Sequence, residues 1–559
     1  MASPPTPLAI NVHTRLVAAP LTTEAGYATF KSPEPYSATP SAVAQFCGIL
    51  HGHSTEAKAI SKMAWKVSVA TLCRTFLPAI TAAFLGHLGS TELAASALAN
   101  IWVSGLQTVI YGFSVSLCTL CGQAFGAGNY ELVGIWFQLG VVSLSALSVP
   151  ICISFYYVDS ILCYVSDDKE VIALATQFSR YSILSVWPQC FNCALRQYLQ
   201  AQEIVTPGTV VSSVSVVLCV ATNYLFIYHW GFGFVGSPLA QFIADVFQPV
   251  ALLAYAVGVR RYHEPTWFGW SWDCVRPDRV RRFLWLSFTM TLNVAMDEWI
   301  YSAVTAIAGF LGPLNLAANS VLYTLWNLVY SIYWGFGLPT QVRVANFLGA
   351  NRHADAKRTM RVGFVLGGLA AFGSAAAFYA CQRPIIAFFT PDPVLAALVA
   401  DNMIYFGLAV GLSGLHIVLA SVLEAMSKAK TLLCITAAGS WGVLFPAAYL
   451  LGLPAGLGLT GLWLGSILGE LTKFLLIVRA LHQVNWRRAA RKAMREATDH
   501  VRYDEEEDTL ARLSIGTATP TLFSPVISRR MTQHDYERSR SQSENDTDDD
   551  APRARAFSC

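Results

Sequence analysis

Asp297 and Glu298 are adjacent carboxylates near the middle of one apolar stretch, 283–310, reading FLWLSFTMTLNVAMDEWIYSAVTAIAGF. As a helix this stretch is about 42 Å long, enough to cross a hydrocarbon layer. Carboxylates at such a depth must face protein or water, and they mark a working site. Two of them close together in a low dielectric resist double ionisation, so one holds a proton near neutral pH. Successive helical residues point about 100° apart, so the two acids serve different faces. Glu298 shares a stripe with Thr291, Ser302 and Thr305, and Asp297 shares one with Asn293 and Tyr301. Further along the chain, Ser413 and His416 lie one turn apart on one face of another apolar helix, where His416 could relay protons or sit neutral in the core.

The elements that hold these groups follow from composition. Of 559 residues, 54% are hydrophobic and only 13% charged, about half the charged share of a soluble chain. Apolar stretches occur at 64–85, 93–118, 135–157, 171–189, 208–228 and 232–258. After a charged segment they resume at 283–310, 316–339, 363–380, 395–423, 432–451 and 457–481. The fold class is therefore an all-α integral membrane protein of twelve transmembrane helices. Residues 1–63 are rich in Pro, Ser, Thr and Ala and read as a disordered cytoplasmic tail without a signal peptide. Residues 64–258 form an N-terminal six-helix bundle, 259–282 a cytoplasmic linker and 283–481 a C-terminal six-helix bundle. Residues 482–559 read as a solvated C-tail with an acidic run at 504–508, open to phosphorylation.

Arginines and lysines set the orientation. Arg260, Arg261, Arg276, Arg279, Arg281 and Arg282 lie between helices six and seven, and Arg343, Arg352, Lys357, Arg358 and Arg361 flank the turn after helix eight. Arg487, Arg488, Arg491, Lys492 and Arg495 follow helix twelve. The turn after helix three carries Lys169 against Asp159, Asp167, Asp168 and Glu170. Both termini are expected in the cytoplasm, with the chain in the plasma membrane or a vacuolar or other endomembrane.

The halves repeat. One constant shift along the chain brings Leu88-Gly89 onto Leu311-Gly312, Gly112-Phe113 onto Gly335-Phe336 and Gly126-Ala127 onto Gly349-Ala350. Very nearly the same shift brings Asp245 onto Glu470. Six helices repeated in one orientation make two bundles around a central cleft, an architecture suited to alternating access.

Several segments resemble one family. Residues 121–130, CGQAFGAGNY, resemble the loop after helix two in the multidrug and toxic compound extrusion (MATE) family, above all its eukaryotic members. Phe84-Leu85-Gly86-His87-Leu88-Gly89, Arg196 with Leu199-Gln200-Ala201-Gln202, and residues 343–350, RVANFLGA, are similar to other segments of that family. The resemblance covers the whole apolar core. It implies export of organic, often cationic or amphipathic, solutes such as xenobiotics or metabolites in exchange for protons or sodium. No cofactor is implied, and the expected partners are the solute, protons and membrane lipid, with the chain acting as a monomer. Glu298-Trp299 resembles the start of the family's helix-seven acidic motif, which makes Glu298 the first choice for coupling and Asp297 the second. Around them, Asn293, Tyr301, Ser302, Ser413 and His416 complete the candidate site. The chain departs from the family pattern at Cys118, Ala303 and Ser413, where acids or polar groups are usual. Gly122, Gln123, Gly126, Arg343, Asn346 and Gly349 in the loop motifs are expected to shape turns and helix packing.

Remaining polar residues in the spans have local readings. Glu470 can pair with Lys473 one turn on. Asp245 has no evident neighbour in sequence, and Arg74 is a distant candidate. Glu424 beside Lys428 reads as a solvated helix end. Trp326, Tyr330, Tyr333 and Trp334 follow helical spacing and either pack or form an aromatic wall for cations. The Cys118/Cys121 and Cys190/Cys193 pairs have ordinary helical packing spacing, and no metal site is expected. No P-loop, HExxH or GxSxG motif is present, so neither catalysis nor nucleic-acid binding is indicated. The other readings are a lipid-linked precursor flippase and, further off, a polytopic membrane enzyme.

Overall fold

The structure, a computed structural model, describes residues 42–163 and 168–498, with side chains from residue 53 onward. The expected tail regions 1–41 and 499–559, including the acidic run at 504–508, lie outside the described residues, as does Asp167.

Twelve long helical segments follow one another. The first six are α1 (Ala42–Gly86), α2 (Ser90–Gly126), α3 (Tyr130–Tyr156), α4 (Lys169–Ala201), α5 (Thr206–His229) and α6 (Gly233–Val259). The second six are α7 (Pro277–Phe310), α8 (Pro313–Gly349), α9 (His353–Ala380), α10 (Pro393–Ala425), α11 (Ala429–Gly452) and α12 (Gly458–His482). Among the described residues, nine of these helices contain a stretch apolar enough to be a candidate span on hydropathy alone. The other three, α4, α7 and α8, are 33, 34 and 37 residues long and carry more polar side chains. Large apolar residues stay exposed on the outer faces, among them Val217 at 70% and Leu369 at 67%, as lipid-facing surface requires. The chain is an integral membrane protein.

Local signals set the helix ends. Asn129 caps α3 by accepting from the Leu132 N–H, Asp168 caps α4 through Glu170, and Asp392 caps α10 ahead of Pro393. Helices α5, α6 and α11 each contain a π-helical stretch, at Leu225–His229, Ala254–Val259 and Ala437–Leu444. In α11 that stretch turns Ser440 and Trp441 toward α7.

Two expected boundaries move. Helix α1 begins at Ala42, inside the segment assigned to the N-tail. Glu56, Ile60, Met63 and Val67 recur at helical spacing and are buried, a face too sparse to register against its Ser- and Lys-rich surroundings. Beyond α12, residues 486–498 form a thirteenth helix, α13, where a solvated tail was expected. It buries Trp486, Ala490, Ala493 and Ala497 and exposes Arg487, Arg488, Arg491, Lys492 and Arg495. The Asn129 amide donates to the Ala497 carbonyl, and Arg282 pairs with Glu496 at 2.6 Å.

Helices α1–α6 and α7–α12 form two lobes, with the apolar core of the first taking in Phe283, Leu286 and Met290 of α7 and that of the second gathered around α8, α10 and α12. The lobes meet where α1 and α2 face α7, α8 and the end of α10. Gly126 and Gly349 allow the closest approach, since a Cβ on Gly126 would lie 1.9 Å from the Asn346 carbonyl oxygen and one on Gly349 2.0 Å from that of Gln123. A Cβ on Gly112 would lie 2.7 Å from the Thr291 Cα, and Ser116 bonds Ser287 at 2.6 Å. Beyond Tyr111, which packs edge-on to Trp334, the outer reaches of α2 and α7 present exposed Ile101, Ser104, Gln107, Glu298 and Ser302. The lobes are closed at the end bearing α13 and form a cleft toward the other.

Candidate functional site

Helix α7 divides its polar residues as its geometry requires. Asn293, Asp297 and Tyr301 turn into the C-terminal lobe. Asn293 accepts from Thr436, Asp297 accepts from Ser440 at 3.2 Å, and Tyr301 donates to Glu470 Oε1 at 3.3 Å. Glu298 and Ser302, one turn apart, are exposed on the cleft side. The Glu298 carboxylate accepts from Tyr323 of α8 at 3.4 Å.

Behind Asp297 lies a buried chain of charges. Lys473 Nζ is 3.2 Å from Asp297 Oδ1 and 2.7 Å from Glu470 Oε1, and His416 Nδ1 is 2.6 Å from Glu470 Oε2. Lys473 is 1% exposed, Glu470 2% and His416 6%. Isolated charges at such depth would each cost several kcal/mol, so the set stands only as a mutually paired group. With His416 neutral it carries one net negative charge, and one added proton balances it. Lys473 also holds the charge of Asp297, which relieves the repulsion expected between the adjacent acids. His416 is thus linked to α7 through Glu470 and Tyr301. Ser413 is fully buried on the same helix face, next to Tyr301.

An aromatic run leads from this network down the cleft. Tyr301 lies 5.9 Å from Tyr323 and 5.3 Å from Trp326, centroid to centroid. Trp326 is followed by Tyr330 at 5.0 Å, Trp334 at 6.3 Å and Tyr111 of the opposite lobe at 6.0 Å. Tyr333 leaves the run and bonds Ser374 of α9. The Arg74 guanidinium stacks on Tyr111 at 4.7 Å and acts on Glu298 through space across the cleft. Sequence reasoning missed Tyr323 and the cleft role of Arg74, because neither has a local signature.

Two readings are corrected. Asp245 does not pair with Arg74; it accepts from Gln189 at 2.8 Å and from Gln241 at 3.2 Å. Gln241 is one turn earlier on α6, so half of this arrangement was local. Glu424 is not a solvated helix end. It is 5% exposed, because α10 stops at Ala425 and Ser427 takes φ 55°, turning Lys428 off the helix face.

The loop-motif residues form the closed seam. Gln123 donates to the Ala425 carbonyl at 2.8 Å, and Thr119 donates to that of Glu424 at 3.0 Å. With its amide nitrogen turned to Gly122, Asn346 donates to that carbonyl at 2.9 Å, tying α8 to α2. Arg343 of α8 bonds Glu56 of α1 at 2.8 Å and Glu203 at 3.1 Å, so one guanidinium holds two carboxylates of the opposite lobe.

Two repeated six-helix lobes around a polar cleft, closed at one end by backbone-tight glycines, define a polytopic membrane transporter. Comparison with known proteins assigns the family: the MatE family model matches residues 67–225 and 290–450, and the chain belongs to the MATE family. Multidrug and toxin extrusion protein 1 of Mus musculus is 30% identical over 450 residues, 80% of this chain and 78% of its own length. Protein DETOXIFICATION 36 of Arabidopsis thaliana is 26% identical, over 77% of this chain and 84% of its own. The crystal structure of the eukaryotic MATE transporter AtDTX14 superposes with TM-score 0.75 at 23% identity, covering 80% of this chain and all of that one. Membership of this family makes the chain a membrane transporter with an efflux role.

Proposed function

We propose that the chain exports organic cations or cationic amphiphiles in exchange for protons, with Glu298 as the charge for which solute and proton compete. The observation that carries this reading is the placement of Glu298 on the cleft wall beside an aromatic run, next in sequence to an acid anchored in a buried charge network. Aromatic faces attract cations by about 0.5–2 kcal/mol each, and a carboxylate contact adds about 1.5–3 kcal/mol. Protonating Glu298 removes the second contribution and releases the cation. Asp297, bonded to Lys473 and half-buried, links the cleft to the His416 end of the network. If the basic turns face the cytoplasm, the closed seam is cytoplasmic and the cleft opens outward.

Arg74 and Arg196, on the N-terminal lobe, favour a second reading, movement of a lipid with an anionic headgroup. Vesicles containing the purified protein and loaded with a pH gradient separate the two. The antiport reading expects uptake of fluorescent cations that collapses with the gradient. Glu298→Gln should weaken cation binding about 10- to 100-fold and leave uptake insensitive to pH. Gradient-independent movement of a labelled anionic lipid, with no cation uptake, would replace the antiporter by the flippase.

A further inference from the structure

Two buried acids sit where the lobes close on each other; Glu56 is paired with Arg343, whereas Glu424 has no cation beside it among the described residues and the cleft chemistry does not use it. Its Oε2 is buried without a hydrogen-bond partner. Two other acceptors of this seam are in the same condition, Gln123 Oε1 on α2 and Gln341 Oε1 on α8. The donors are already committed: Gln123 Nε2 to the Ala425 carbonyl, Gln341 Nε2 to Thr119 Oγ1, and Thr119 Oγ1 to the carbonyl of Glu424 itself. The seam therefore has a surplus of acceptors around a carboxyl group. An ionised Glu424 would add a charge there with nothing to answer it, whereas a neutral one is itself a donor.

No surrounding charge alters that balance. Helix α2 presents Cys118 and Tyr111, and α8 presents Tyr330. Arg343 of α8 is held by Glu56 and Glu203. From α7 the group acting on Glu424 is Asp297, also an acid. Lys473 of α12 is held by Asp297 and Glu470, and His416 of α10 by Glu470. On α9, Arg358 pairs with Asp355 while Lys357 and Arg361 are exposed. Lys428 lies past the turn, and Lys430 of α11 sits over Trp285.

We propose that Glu424 is a proton-operated latch on the seam. The seam closes around the neutral acid, and opening it hydrates the group, which then releases its proton to water on the side the seam faces. The proton returns from that same side on closure, so the latch moves none across the membrane. It makes the balance between the two lobe arrangements depend on pH at one face. Low pH there favours the closed seam, and rising pH opens it by at most tenfold per unit for one proton. The inference rests on the rocking of lobes in the proposed transport cycle, but not on any solute.

Cys118, buried at 0% exposure beside Glu424, reports seam opening, and exposed Cys381 supplies the reference for reagent chemistry. The full-length protein in detergent is treated with a maleimide from about pH 5.5 to about pH 9, and each cysteine is followed by mass spectrometry. The Cys118-to-Cys381 rate ratio should climb with pH in the parent, by up to tenfold per unit. In Glu424→Gln, neutral at every pH, it should stay at its low-pH value. A flat parent ratio overturns the latch, as does a Glu424→Gln profile that follows the parent. Should that variant misfold, core Cys219 will label as fast as Cys381, and the parent profile decides alone. A parent ratio that responds to sodium at fixed pH and not to pH overturns the proton as ligand. A flat ratio in protein that still transports removes the latch and leaves the antiporter standing.

Discussion

Replacing Lys473 by Met should cripple the C-terminal lobe, and replacing Glu470 by Gln in the same chain should largely rescue it. Lys473 Nζ neutralises Glu470 at 2.7 Å and Asp297 at 3.2 Å, with 1% of the residue exposed. Removing one partner of a buried ion pair typically costs about 3–5 kcal/mol, because the other charge stays behind without compensation. Here Glu470 retains His416 at 2.6 Å and the Tyr301 hydroxyl at 3.3 Å, and Asp297 retains Ser440. The loss should therefore fall at the low end, about 3 kcal/mol. Glu470→Gln alone strands Lys473 less severely, since Asp297 remains, and should cost about 1–2 kcal/mol. The double variant removes both charges of the closer pair and should cost under about 1.5 kcal/mol, giving a coupling energy of about 3 kcal/mol. Denaturant titration of the purified protein in mild detergent, read from tryptophan fluorescence, measures each value. Additive losses, with the double variant as unstable as the sum of the singles, would refute the claim that these charges stand as one group.

Three other perturbations probe the seam and the last helix. Gly126→Ala puts a methyl group within 1.9 Å of the Asn346 carbonyl oxygen, and the backbone cannot yield locally. It should open the seam at a cost of about 1–3 kcal/mol and raise Cys118 labelling at every pH, without lowering the melting temperature of either lobe. Arg343→Gln leaves Glu56 and Glu203 of the N-terminal lobe without the cation that ties them to α8 and should favour the open seam by about 3 kcal/mol. Adding Glu56→Gln should reverse much of that shift in the same labelling assay. Trp486→Ala strips the largest side chain that α13 buries, costs about 3 kcal/mol, and should expose the following arginines to trypsin while transport-domain fragments stay intact.

What could be read from the chain was whatever lay within one helix or one repeat. The spans, the twofold repetition and the division of Asp297 from Glu298 all follow from periodicity. The Glu470–Lys473 pair was legible because i and i+3 share a helix face. Its connections to Asp297 and His416 were not, because they join helices far apart in the chain through tertiary packing. Glu424 and Lys428 fit the same local rule and failed it, since the helix ends between them. Helix α13 failed in the opposite sense. Its buried positions keep helical spacing, but the basic residues crowded on its other face made the segment resemble a solvated tail. The glycine motifs were read as packing devices, and the structure adds that the backbones they bring together belong to different lobes.

The repeat itself explains why chemistry concentrates on one side. In the N-terminal lobe, α4 is tied to α6 by Gln189 to Asp245 and by Asn192 to Gln248 at 3.2 Å. In the C-terminal lobe, α10 is tied to α12 by His416 to Glu470, with Lys473 one turn on. Glu470 and Lys473 are the counterparts of Asp245 and Gln248 under the repeat. Both lobes therefore need a polar cross-tie at this depth, and neutral amides meet most of that need in the first. Packing alone does not account for a lysine, a histidine and a second carboxylate in the other. The same contrast holds on the cleft, where Arg74 and Thr75 are the first-lobe counterparts of Asp297 and Glu298. A scaffold built twice carries a linked chain of three charged partners once, in the lobe whose wall carries the aromatic run. In the proposed antiport cycle, titration of those groups biases the C-terminal lobe without disturbing the fold of its partner.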